Sequence, residues 1–350
     1  RKATMRRSTA LLVTALFLLP ATFACEGPTG PAGPAGTAGA AGPAGPAGPV
    51  GPAGQDANEN CTQCHTGDVN LYAKQVQWAK SNHGIGDALY DRTSCSVCHS
   101  HQGFLERLET GEWAAAATTE DPVPINCRTC HQIHTTYTST DYAFTTPDEV
   151  FLRVADVTID MGSSNLCATC HQSRLRSGMP VIDGDPVTMT SSHFGTHHGP
   201  QGDVVAGLGL FNFNDTPEGQ HTHGSEGGCP TCHMAAGSEF NGGHTFALNV
   251  GGDYVEGCET CHTSGVDDFD HFGLQTDVQA LIDELGVLLD AAGVAHFEDG
   301  EWHPVTDVEF TANQVAAWYN FIGIVEDRSL GVHNPSYVKG ILEGTIAAMQ

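Results

Sequence analysis

The chain has 350 residues and carries 14 Lys+Arg against 41 Asp+Glu, a net charge of -27. No basic face can be assembled to follow a phosphate backbone or dock on an anionic membrane, so a nucleic-acid partner is excluded. Hydrophobic residues make up 40%, a modest share from which to build a core at this length. Twelve of the 13 cysteines fall into six Cys-x-x-Cys pairs, and His follows every pair at once.

In chain order, residues 1–24 read as a signal peptide: Lys2, Arg6 and Arg7 precede an apolar run from Ala10 to Leu19. The run is short for a membrane span, and the mature protein is expected to be exported. Cys25, the unpaired thirteenth cysteine, follows directly and is a candidate lipid anchor, although Thr22-Phe23-Ala24 is not a Leu-rich lipobox. From Gly27 to Gly54 glycine stands at every third position, with proline in X of seven of nine complete triplets. This collagen-like period cannot bury a core, so residues 25–54 read as the candidate lipid anchor followed by a stalk over 27–54. As a single polyproline-II strand its 28 residues reach roughly 85 Å at about 3.1 Å each. As a short triple helix it would trimerise the protein.

Residues 55–262 hold the six motifs: Cys61-Cys64-His65, Cys95-Cys98-His99, Cys127-Cys130-His131, Cys167-Cys170-His171, Cys229-Cys232-His233 and Cys258-Cys261-His262. Their starts are 34, 32, 40, 62 and 29 residues apart, too irregular for a solenoid. The chain between them is polar and glycine-rich. Short helices are predicted over Leu71–Ala79 and Phe104–Trp113. The cysteine-free end, 263–350, holds the best periodicity, over Thr276–Ala292, Val308–Val325 and Pro335–Met349. The expected fold is mainly α with extensive irregular coil and few strands, large flat cofactors supplying the core the body lacks. The C-terminal helices form a layer packed on it, or a dimer surface.

The chemistry of Cys-x-x-Cys-His is c-type haem attachment: the two thiols bond the haem vinyl groups and the adjacent His reaches the iron. Zinc would leave the six His without a role, and a thioredoxin-like dithiol would need one motif after a strand. The cofactor reading is therefore six covalent haems c, with His65, His99, His131, His171, His233 and His262 as proximal ligands.

Thirteen histidines remain for the second axial positions. His83 stands between the first two motifs. His134, three after His131, could face a neighbouring iron. His193 and one of His197 and His198 share Ser-His-Phe-Gly-Thr-His-His-Gly-Pro, with His198 taken. His244 and His333 stand in Gly-Gly-His-Thr-Phe and Gly-Val-His-Asn-Pro. His101, His221, His223, His271, His296 and His303 have less context. Met161, Met179 and Met189 are the thioether alternatives, which would raise a potential relative to His. The Arg174/Arg176 pair reads as neutralising haem propionates or as the one place an anion pocket could form. The acidic clusters Asp267-Asp268-Asp270 and Asp183-Asp185 read as solvated surface.

The body resembles the multihaem c-type cytochromes of periplasmic and outer-surface respiration. Besides the motifs, His197-His198-Gly199-Pro200-Gln201, Cys229-Pro230-Thr231-Cys232-His233-Met234 and Gly331-Val332-His333-Asn334-Pro335 carry the resemblance. The last is similar to the terminal His segment of pentahaem nitrite reductases, which implies an axial role for His333. Those reductases attach their catalytic haem through a lysine version of the motif, whereas all six motifs here end in His. The resemblance thus implies an electron carrier, serving redox partner proteins or an extracellular acceptor from the periplasm or as an outer-membrane lipoprotein. A reductase of a small nitrogen or sulfur oxyanion at one open haem is the alternative, and a subunit of a conductive filament is a third reading. Self-association would run through the stalk or the C-terminal helices.

Overall fold

The computed structural model describes residues 69–86, 92–119, 121–145, 148–174, 178–236, 242–250, 253–254, 257–258, 261–262 and 269–350. All of these belong to the compact unit 54–350. The signal segment, Cys25, the stalk, the first motif (Cys61, Cys64, His65), Arg176, Asp267 and Asp268 lie outside the described residues.

The fold is mainly helical with long irregular connections, and the described strands form four two-stranded pairs: β1 (Val150–Leu152) with β2 (Val157–Ile159), β3 (Val187–Thr188) with β8 (Glu309–Phe310), β4 (Asn249–Val250) with β5 (Asp253–Tyr254), and β6 (Ala295–Glu298) with β7 (Glu301–Pro304). In the motif region the helices are short: α1 (Val69–Trp78), α2 (Asn82–Ile85), α3 (Thr93–His99), α4 (His101–Thr110), α5 (Cys127–Cys130), α6 (Asn165–Cys170), α7 (Gln201–Ala206) and α8 (Gly228–His233). Four of them are built around attachment motifs. One helical turn brings the two cysteines, three apart, onto one side and leaves the His at its end. The backbone N–H of His131, His171 and His262 closes that turn on the carbonyl of Cys127, Cys167 and Cys258, each at 2.9 Å.

The helix expected over Phe104–Trp113 is shifted towards the N-terminus. Ser100 caps α4 by accepting from the Gly103 N–H at 3.1 Å, and Gly111, at φ 73°, ends it in the left-handed conformation.

The C-terminal elements are α9 (Leu274–Ala291), a hairpin of β6 (Ala295–Glu298) and β7 (Glu301–Pro304), β8 (Glu309–Phe310), α10 (Ala312–Asp327) and α11 (Pro335–Met349). Along α9, Val278, Ile282, Leu285 and Leu289 form the buried stripe. The central α10 is buried nearly all round, with Val315, Trp318, Tyr319, Phe321 and Ile324 fully enclosed. The single helix expected over Val308–Val325 is a strand followed by a helix. Thr311 separates them with a capping box, its hydroxyl accepting from the Gln314 N–H at 3.2 Å while Gln314 Oε1 takes the Thr311 N–H at 3.0 Å.

This core does not stop at residue 263. Met189, Phe194 and Val204 belong to it, and β3 (Val187–Thr188) pairs antiparallel with β8. Trp318 Nε1 donates to the Phe194 carbonyl at 2.7 Å. The Asn320 amide holds both backbone groups of Phe211, each at 2.7 Å. The stretch from 187 to 211 thus joins the motif region to the helical layer. Among the described residues no helix is long and apolar enough to cross a membrane.

Candidate cofactor cavity

The five described motifs face one another across a single cavity of about 2480 Å³. That is well beyond the roughly 300–1,000 Å³ of an ordinary small-molecule pocket. Both cysteines and the His of each of these motifs line it, with apolar walls supplied by Trp78, Phe104, Leu166 and Phe246.

Each of the five described motif histidines meets a second imidazole. Ring centroids are 6.2 Å apart for His99 and His197, 6.1 Å for His131 and His244, and 5.9 Å for His171 and His83. They are 6.2 Å apart for His233 and His333 and 6.0 Å for His262 and His223. An ion held between two imidazoles, at about 2.0 Å from each nitrogen, puts the centroids roughly 6.2 Å apart. The donor set therefore fits iron held between paired histidines, with thiols beside each pair. His271 is closer to His262, at 4.7 Å, less than an opposed pair around one ion requires.

Partners on the Nδ1 side orient several of these rings and leave Nε2 for the cavity. The Nδ1 of His131 donates to the Tyr142 carbonyl at 2.7 Å, that of His233 to Phe246 at 3.0 Å and that of His223 to Val332 at 2.6 Å. Gln201 Oε1 takes the Nδ1 of His171 at 3.1 Å, and Asp327 Oδ1 takes that of His333 at 2.6 Å. Such outer contacts fix the tautomer and the direction of a ligating imidazole.

Burial pushes His83 and His244 down to about 4, so both are neutral, the ligating form, at ordinary pH. Burial also works against a proton on His333, but the Asp327 carboxylate outweighs it and holds that ring above the usual imidazole value. Contact with Cys170 brings Cys98 down to about 7, and contact with Cys167 brings Cys229 down to about 6.

Of the six second-position histidines expected from sequence, His83, His244 and His333 stand opposite a described motif His; His134 and His198 also line the cavity, and His193 does not. His134 has φ 66°, lines the cavity and stacks its ring on Tyr137 at 5.6 Å. His193 is exposed on a turn. The Nδ1 of His198 lies 2.9 Å from Glu326 Oε1, while its neighbour His197 faces His99. His197 and His223 complete the pairs. Nothing in the sequence separates His197 from His198, and only nearness to Cys229 singles out His223. Met161 and Met189 are buried in the two apolar cores and Met179 packs against one of them, away from the cavity. Arg174 donates to the His197 ring at 2.9 Å. The Arg107 and Arg153 guanidiniums lie over Trp113, at 3.5 and 4.3 Å from its ring centre.

No protein-family model and no curated protein matches this chain. Among solved structures, the crystal structure of the outer cell wall cytochrome OcwA is similar in fold. Its TM-score is 0.52 at 18% sequence identity, over 79% of this chain and 50% of that one. The present chain therefore spans about half the length of that cytochrome.

Proposed function

We propose that this protein is an electron-transfer cytochrome holding six covalent haems c, each of the five described motif histidines sharing its iron with a histidine from elsewhere in the chain. The observation that carries the reading is the recurrent opposition of two imidazoles at 5.9–6.2 Å around one cavity. The similarity of fold to an outer cell wall cytochrome supports it. Bound haem supplies reversible one-electron chemistry. The chain holds the groups by thioethers, aims the imidazoles through their Nδ1 partners and walls the groups off from water. The axial pairs are His99 with His197, His131 with His244, His171 with His83, His233 with His333, and His262 with His223; the sixth haem belongs to Cys61, Cys64 and His65. Two histidines per iron set low potentials and suit a carrier between redox proteins, or to an extracellular acceptor. Export follows from the leader and from the need for covalent maturation outside the cytoplasm.

Three measurements test this. The mature protein should exceed its polypeptide mass by six haems; four or fewer would defeat the reading. His197→Ala should convert one iron from low to high spin and let it bind carbon monoxide, while His198→Ala leaves the spectrum unchanged. The reverse result would overturn the pairing. A stoichiometric high-spin ferric signal from intact protein would favour a reductase with one open haem.

A further inference from the structure

The β6–β7 hairpin reads His296-Phe297-Glu298-Asp299-Gly300-Glu301-Trp302-His303, a sequence nearly symmetric about its Asp-Gly turn. Asp299 and Gly300 have φ of 53° and 90°, suiting a tight two-residue turn. The register pairs His296 with His303, Phe297 with Trp302 and Glu298 with Glu301. Because side chains alternate along a strand, both histidines and both glutamates share one face. The other face carries Phe297 and Trp302, and Trp302 packs on Phe321 at 5.2 Å. The two imidazoles are 5.8 Å apart, half-buried, and neither lines the cofactor cavity. His296 Nε2 already lies 3.5 Å from Glu298 Oε2. The hairpin has three acidic residues and no Lys or Arg.

We propose that this face binds one divalent transition-metal ion of the zinc or copper class, separate from the haem irons. His296 and His303 are two ligands and a glutamate of the same face is the third. Imidazole with carboxylate suits such ions, and neighbouring acidic groups attract them. Two imidazoles on a tetrahedral ion place their centroids roughly 5 Å apart, so small ring rotations close the pair. As the side chains stand, no three donors among the described residues converge on one point. Rotation of Glu298 or Glu301 supplies the third, and water completes the shell. The backbone register itself presents the two histidines together, so little ordering is left to binding.

Zinc is the probe. In equilibrium dialysis of the haem-loaded full chain, His296→Ala and His303→Ala should each weaken one zinc equivalent at least about tenfold, with an unchanged Soret spectrum showing that fold and haems are intact. In the unmutated protein, zinc should protect His296 and His303 together from diethyl pyrocarbonate, read peptide by peptide by mass spectrometry. Equal modification with and without zinc, or full zinc affinity in the double variant, would overturn the site.

Discussion

Asp203 is fully buried on α7, with one carboxylate oxygen accepting from the Ser173 N–H at 2.6 Å and the other meeting no donor. Burial pushes its pKa up to about 6. The folded state therefore holds this proton more tightly than the unfolded chain does. The associated stability is complete below the unfolded carboxylate value and is lost as pH rises through about 6. Asp203→Asn keeps an acceptor for Ser173 and removes the charge. It should raise stability by roughly 2–3 kcal/mol at pH 7.5 and by little at pH 4, measured as the shift in guanidinium midpoint. A second residue-scale prediction concerns Asp327, whose carboxylate takes the His333 Nδ1 proton. If His333 is an axial ligand, Asp327→Asn weakens its donation and one of the macroscopic reduction potentials should move upward in a spectroelectrochemical titration. An unchanged set of potentials would separate this carboxylate from the haems.

At the scale of elements, Gly286 on α9 shows packing overriding propensity. A Cβ there would lie 2.8 Å from the Trp302 ring. Alanine in a helix interior is ordinarily favoured over glycine by about 1 kcal/mol, but overpacking a filled core costs roughly 1–3 kcal/mol. Gly286→Ala should therefore destabilise the protein slightly and loosen the hairpin, seen as faster amide exchange in residues 295–304. Thr311→Ala should cost about 1 kcal/mol by removing the cap of α10, read from the denaturant midpoint. The helices over Thr276–Ala292 and Pro335–Met349 were legible because apolar residues recur at helical spacing. The hairpin carried its own signal in Asp299-Gly300 between alternating aromatics, and Glu309–Phe310 became a strand because Val187–Thr188 supplies a partner that no local window contains. The second histidines were legible only in part for the same reason. A motif fixes its own His through one helical turn, whereas the facing ring is chosen by chain that arrives from far away, and adjacent candidates such as His197 and His198 differ only in which way the backbone turns.

Taken whole, the molecule has two kinds of interior. The helical layer around Trp318, Tyr319 and Phe321 is closed by side chains alone. The motif region surrounds a cavity of about 2480 Å³, far more than packed protein leaves empty. The polypeptide made without haem attachment should therefore keep protease resistance over about 187–211 and 274–350 and lose it over 69–174 and 221–262. Limited proteolysis with mass mapping checks this, and equal resistance of both sets of residues would show that the motif region closes without the groups.

The facing imidazoles lie 39 to 113 residues apart in the chain. On the proposed ligation each iron is thus a reversible tie across a long loop, fixed at one end by covalent thioethers and detachable at the other. Ties of this length restrict the unfolded ensemble much as disulfides do. Acid opens them by protonating the detachable ring, without breaking a covalent bond. Unfolding then becomes an exchange problem: a released end competes with every other histidine in the chain for the vacated position. Refolding from denaturant should be slow and multiphasic at neutral pH, and fast when added imidazole holds the vacated positions until the native ring returns.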